Sequence, residues 1–273
     1  MIQELPVLRH PAGPPEELDA VAIEEPLELR VDGTPLVVTM RTPGADKELA
    51  AGFLYSEGVI DGADDISAMA HVRDLASSTN NVLDLRLASG AQIPQERFAS
   101  AQRGFYANSS CGLCGKATID NVLLKVPPLE QPFCLELPLI CTLPKKMEAQ
   151  QTGFSATGGL HGAALFNLQG ELLVLREDIG RHNAVDKVLG WALLHDLTPL
   201  DQHILVVSSR ASFEITQKAL MARISVLASV GAPSSMAVAM ARAAGMQLCG
   251  FVRGRRCNQY SPAQPQAERG GLP

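Results

Sequence analysis

The stretch AALFNLQGELLVLREDIGRHNAVDKVLGWALL, Ala163–Leu194, decides the fold class. Ala163 to Asn167 and Glu171 to Leu175 are apolar runs that meet at Gly170, the pattern of a hairpin. From Asn183 to Leu194 the period changes: Ala184, Val185, Val188, Leu189, Ala192 and Leu193 recur at helical spacing. Towards the C-terminus the alternation continues as a strand over His203–Ser208, a helix over Phe213–Ala222, a strand over Ile224–Val230, a helix over Ser235–Ala244 and a strand over Gln247–Val252. Strands alternating with helices imply a layered α/β sheet.

Towards the N-terminus the rhythm breaks. Five prolines fall between Pro127 and Pro144, too many for one regular element to cross, so residues 127–144 are expected to be a linker. Before it, Leu27–Val31 and Leu36–Met40 flank Asp32-Gly33, a hairpin signal. Asp46 can cap a helix that carries Leu49, Phe53 and Leu54 on one face and stops at Gly58. Leu83, Leu85 and Leu87 alternate with Asp84 and Arg86 as in a half-buried strand. The expected organisation is a flexible, Pro-rich, acidic leader over 1–23, a small α+β domain over 24–126, the linker, an α/β domain over 145–260 and a flexible tail over 261–273.

The chain has 273 residues, 46% of them hydrophobic, with 23 Lys and Arg against 29 Asp and Glu. That balance excludes a disordered chain and a basic nucleic-acid binder, so any anion site must be local. The start lacks the apolar run of a signal peptide, and no stretch reaches the roughly 18 apolar residues of a membrane span.

Six cysteines, two of them in Ser110-Cys111-Gly112-Leu113-Cys114-Gly115-Lys116, fit a reducing cytoplasm better than a disulfide scaffold. Gly112 and Gly115 suit an accessible loop, and Lys116 with the first turn of a following helix favours thiolate. Three chemistries are compatible with such a pair. A structural zinc site needs two more ligands, but Cys134 and Cys141 fall in the Pro-rich linker while Cys249 and Cys257 lie in different contexts. A thioredoxin-like dithiol needs a strand before it and a helix after it. Sulfur relay needs only an exposed thiolate that attacks the outer sulfur of a persulfide. An inert loop stands beside all three. Cys134, Cys141 and Cys249 read as small buried residues.

Two other blocks gather polar groups at strand ends. Thr157-Gly158-Gly159-Leu160-His161-Gly162 lets backbone amides approach a ligand or simply makes a turn. Arg176-Glu177-Asp178-Ile179-Gly180-Arg181-His182 precedes a helix, as Ser208-Ser209-Arg210-Ala211-Ser212 does, and Arg181 suits phosphate, although a solvated charge run would look the same. Phe251-Val252-Arg253-Gly254-Arg255-Arg256 puts three guanidiniums after the last strand, as a phosphate-rich ligand requires.

Taken together, Glu25-Pro26-Leu27, Val38-Thr39-Met40-Arg41-Thr42-Pro43-Gly44, the cysteine pair, the Gly-His block, Arg176 to Lys187, Ser209 to Glu214 and Ala232-Pro233-Ser234-Ser235 resemble, in order, the FdhD family of formate dehydrogenase accessory sulfurtransferases. The resemblance implies a cytoplasmic homodimer that takes sulfur from a cysteine desulfurase as a persulfide. It passes that sulfur to the molybdenum cofactor, bis(molybdopterin guanine dinucleotide), before the cofactor enters formate dehydrogenase. By the same resemblance Cys111 carries the persulfide with Cys114 as second thiol, and Phe251, Val252, Arg253, Gly254, Arg255 and Arg256 bind the cofactor, for which guanine nucleotides serve as analogues. No permanently bound cofactor, metal, nucleic acid or membrane is implied. A chaperone that only escorts the cofactor is the rival reading. The resemblance also implies a three-layer second domain similar to cytidine deaminases. The deaminase zinc signature is missing, because His182-Asn183-Ala184 lacks the glutamate and Ser209-Arg210-Ala211-Ser212 lacks both cysteines.

Overall fold

The computed structural model describes residues 2–8, 10, 17–72, 80–91, 93–99, 101, 128–130 and 132–262. β3 (Glu25–Val31) and β4 (Thr34–Arg41) form the expected hairpin. Asp32 and Gly33 both take positive φ, 48° and 76°, the geometry of a type I′ turn whose twist matches that of the strands. β6 (Val82–Leu87) runs parallel to β3, and β5 (Ile66–His71) closes a four-stranded sheet of order β4-β3-β6-β5. α1 (Asp46–Ser56) covers it through Leu49, Ala50, Ala51 and Leu54, packed with Leu27, Leu29, Leu83 and Leu85.

The second sheet has six strands in the order β12-β11-β10-β9-β7-β8. β7 (His161–Asn167) and β8 (Leu172–Asp178) are the hairpin read from the opening stretch. β9 (His203–Val207), β10 (Val226–Ser229) and β11 (Gln247–Arg253) are mutually parallel, and β12 (Arg256–Ser261) turns back antiparallel to β11. The central strands bury both faces, which is why they read as continuous apolar runs. Leu205 and Val207 enter the core with Val185, Leu189, Ile215 and Leu248. Ile204 and Val206 enter the opposite core with Ile140, Leu143 and Phe166. Helices α4 (Arg181–Leu194), α5 (Phe213–Met221) and α6 (Ser235–Ala244) thus lie on one face and α2 (Leu137–Glu148) on the other.

Two expectations need correction. Residues 1–23, read as a flexible leader, contain β1 (Ile2–Val7) and β2 (Glu17–Ala22), paired antiparallel from Ile2↔Ala22 to Val7↔Glu17. Residues 127–144, read as a linker that no element crosses, contain most of α2. Pro138 falls in the first turn, where its missing N–H has no helical acceptor to lose, and Pro144 forfeits one interior hydrogen bond. Burial of Ile140, Cys141, Leu143 and Met147 outweighs that loss. α3 (Thr152–Thr157) follows directly and leads into β7.

The two sheets are joined by α1 against α4. Gly52 and Gly190 face each other so closely that a Cβ on Gly52 would lie 1.8 Å from the Asp186 carbonyl oxygen, and one on Gly190 1.8 Å from that of Glu48. Only glycine fits there.

Candidate functional site

β8 and β9 both run antiparallel to β7, so the carboxyl ends of β8, β9, β10 and β11 share one edge of the sheet. α4, α5 and α6 begin just beyond that edge, and open α/β sheets bind ligands there. The serines of the two hydroxyl-rich blocks shape it: Ser212 caps α5 by accepting from the Ile215 N–H, and Ser234 caps α6 by accepting from the Ala237 N–H. Ser229 Oγ donates to the Ser209 carbonyl at 2.7 Å, and Ala211 bridges Pro233, so the loops after β9 and β10 hold one another.

Most of the dense charged block is spent inside the protein. The Arg176 guanidinium grips Glu48 at 2.5 and 2.7 Å. Glu177 accepts from the Gly153 and Phe154 N–H groups at the start of α3. Asp178 is fully buried, 2.7 Å from Lys187 Nζ, and accepts from the N–H of Thr42 and Gly180. Asn183 Nδ2 donates to the Met40 carbonyl, which ties the same corner to β4. Farther along α4, Asp186 accepts from Ser56 Oγ at 2.8 Å and lies 3.0 Å from Lys218, which also reaches Glu57 at 2.9 Å. Burial raises Asp186 to about 6, against the pull of Lys218. The Lys218 ammonium, although buried, is held strongly in its charged form by Asp186 and Glu57. Sequence reading missed this network. Its signal was two charged residues, Asp186 and Lys187, inside a helix whose residues 183–190 are all buried. The Gly-His block is likewise local: Gly158, at φ 66°, ends α3, and the Gly162 N–H donates to Ser208 Oγ.

Arg181, His161, His182 and Glu214 are left at the edge. Arg181 Nε and His182 Nε2 are buried without a hydrogen-bond partner, and His182 Nε2 sits 3.9 Å from Glu214. Burial, then Arg181 and Lys218, push His182 down to about 4, against the pull of Glu214 and Glu57. The folded ring is therefore neutral, while the unfolded chain takes up a proton as pH falls through its ordinary value near 6.5. Stability is expected to drain away between about pH 6.5 and 4, by about 2 to 3 kcal/mol. Urea unfolding of wild type and His182→Gln from pH 7 to 4.5 checks this. Equal slopes in the two proteins would rule out His182 as the cause.

The stretch Phe251 to Arg256 is the tip of the β11–β12 hairpin. Gly254, at φ 59°, makes the turn and Arg253 pairs with Arg256. Phe251 takes φ 53°, a left-handed conformation unusual for an aromatic residue, with its N–H on the Gly231 carbonyl at 3.0 Å, and is 48% exposed. Val252 points into the core and is 0% exposed, so neither its side chain nor its backbone is open to a ligand. Arg253, Arg255 and Arg256 are exposed, and none has an ion-pair or side-chain hydrogen-bond partner among the described residues. A cavity of about 230 Å³ opens elsewhere, between Glu57, Arg97 and Gln217. It touches none of these arginines.

Cys111, Cys114 and Lys116 lie outside the described residues. Of the other cysteines, Cys141 and Cys249 are buried as expected, but Cys134 is exposed. Cys249 and Cys257 do not lie in different contexts: with Cys141 they meet on one face of the β11–β12 edge. Among the described residues no group of three or more His, Cys, Asp or Glu could hold a metal ion. No described helix is long and apolar enough to cross a membrane.

The FdhD/NarQ family matches residues 22–266. The sulfur carrier protein FdhD of Mycobacterium tuberculosis is 48% identical over 253 residues, covering 90% of this chain and 91% of that protein. The sulfur carrier protein FdhD of Streptomyces coelicolor is 47% identical over 260 residues, covering 93% and 91%. A crystal structure from Desulfotalea psychrophila, described as that of a formate dehydrogenase accessory protein, superposes with a TM-score of 0.72 at 25% identity and covers 97% of each chain.

Proposed function

This chain belongs to the FdhD/NarQ family, and from that premise we propose that it is a sulfur carrier serving formate dehydrogenase, with Cys111 as the carrying thiol. The observation that supports this most is the 48% identity to a named sulfur carrier over nine-tenths of both chains. Loading is an exchange at sulfur. The Cys111 thiolate attacks the outer sulfur of a cysteine desulfurase persulfide, the donor S–S bond breaks, the donor cysteine leaves as thiolate and Cys111 keeps the persulfide. Lys116, two residues beyond Cys114, favours the thiolate form. The acceptor is the molybdenum cofactor, whose pyrophosphates and guanines suit the exposed guanidiniums of Arg253, Arg255 and Arg256. Val252 contributes rigidity, since its buried side chain anchors the hairpin that presents them. Cys114 stands by as the thiol that shields or releases the sulfur. A cytoplasmic homodimer completes the proposal.

The test is intact mass after incubation with a cysteine desulfurase and cysteine. Wild type is expected to gain one sulfur that reductant removes, and Cys111→Ala to gain none. A carrier loses function with Cys111, whereas an escort does not. An adduct mapping to Cys134 or Cys249 would overturn the assignment.

A further inference from the structure

Four cysteines that the carrier chemistry leaves unused gather on the α2 side of the second sheet. The Gln247 side chain clamps Leu135, accepting from its N–H at 2.8 Å and donating to its carbonyl at 2.9 Å. That clamp fixes Cys134 beside β11, and Cys249 follows two residues along the same face of the strand. Cys141 lies one turn into α2, buried in the same cluster as Cys249, and Cys257 on β12 packs against both. The Cys257 sulfur is a near neighbour of both the Cys141 and the Cys249 thiols and helps to hold each protonated. Of these three Cys257 alone is partly exposed, and it lies on the edge strand of the sheet. This is a nucleophile at the surface backed by two thiols in the core.

We propose that Cys257 is a site of thiolation by low-molecular-weight disulfides and that Cys141 resolves the adduct to an internal Cys141–Cys257 disulfide. In the first step the Cys257 thiolate attacks one sulfur of the small disulfide, whose S–S bond breaks and releases one thiolate to take a proton from water. In the second step Cys141 gives its proton to solvent and attacks the Cys257 sulfur, expelling the second small thiolate. Two cysteine thiols are oxidised by two electrons, and the small disulfide is reduced to two thiols.

Two facts choose the roles. Burial pushes Cys141 up to about 11 and Cys249 up to about 12, so both stay protonated at neutral pH and neither starts the reaction. Cys249 opposes Gln259, which makes Cys257 its diagonal neighbour across the strands. Such pairs sit about 7–8 Å apart between Cα atoms, beyond the span that a disulfide bridges. Cys141 approaches from the helix above and escapes that restriction. The bridge ties α2 to the hairpin whose tip carries Arg253, Arg255 and Arg256. It does not depend on the carrier reading.

The full chain carrying Cys111→Ser, Cys114→Ser and Cys134→Ser retains only Cys141, Cys249 and Cys257 of its six cysteines. Treated with oxidised glutathione and followed by intact mass and peptide mapping, it should gain one glutathione at Cys257 and then lose it as a 141–257 bridge appears. Adding Cys257→Ser should slow all adduct formation about tenfold or more. Adding Cys249→Ala should leave the bridge intact. A lasting glutathione at Cys257, a 249–257 bridge, or no reaction in folded protein whose unfolded chain reacts would each overturn the proposal. Because these outcomes are read in the parent chain, none depends on a substitution at buried Cys141.

Discussion

Gly190→Ala is expected to cost about 3 kcal/mol or more and to lower the thermal midpoint by roughly 6 to 12 °C in a chain of this size. The added methyl would sit 1.8 Å from the Glu48 carbonyl oxygen and 2.7 Å from the Gly52 nitrogen, both rigid helix backbone. No rotamer can relieve that contact, so α1 and α4 must separate. Separation also loosens the network of Ser56 and Glu57, at the end of α1, with buried Asp186 and Lys218, and buried charges that lose a partner cost several kcal/mol. Against a total stability of about 5 to 15 kcal/mol, this is a large fraction. Gly159→Ala is the control, because its Cβ would meet nothing nearer than 3.7 Å and the change should stay within about 0.5 kcal/mol. Calorimetric scans of the two variants decide the matter. Equal midpoints would mean that the interface relaxes without penalty.

The close approach of Gly52 and Gly190 also explains what sequence reading could and could not reach. Residues whose partners are close along the chain were legible. Asp32-Gly33 announces its turn because two positive φ angles are needed there, and Ala163 to Leu175 announces its hairpin through two apolar runs around Gly170. Five of the six strands of the second sheet followed from the alternation, whereas β12, an edge strand rich in polar residues, did not. Residues whose partners are distant were not legible. Pro144 argues against a helix until the core that receives Ile140 and Leu143 is known. Asp178 and Lys187 could be read as part of an anion site or of a solvated turn, because their pairing, at 2.7 Å and out of water, is visible only in three dimensions. Cys249 and Cys257 read as unrelated because a bulge between Leu248 and Cys249 sets the register that brings them together. The β1–β2 ribbon was hidden by Pro6 inside β1 and by Pro11, Pro14 and Pro15 between its two strands.

The arginine hairpin was legible as composition, and the structure adds why its charge is available. Three of the other cations in the motif blocks are already engaged, Arg41 with Asp46 and Glu25, Arg176 with Glu48 and Lys187 with Asp178, as is Lys218 with Asp186. Arg253, Arg255 and Arg256 have no carboxylate partner among the described residues. They stand on a two-residue turn next to the strained Phe251, and strain of that kind persists where the surroundings hold a functional conformation. Replacing Arg253 and Arg255 together with Ala is therefore expected to weaken binding of guanosine diphosphate, the analogue of half the proposed cofactor, by about 3 to 6 kcal/mol, at about 1.5 to 3 for each charged hydrogen bond lost. That is at least a hundredfold in dissociation constant. Folding should be untouched, since both side chains are exposed and Val252, which anchors the strand, is unchanged. Titration calorimetry with wild type and the double variant reads the difference directly. An unchanged affinity would move the phosphate site along the same sheet edge to Arg181 and Arg210. There the unpartnered Arg181 Nε offers a donor to an anion, and Arg181→Ala, not the hairpin variant, would then abolish binding.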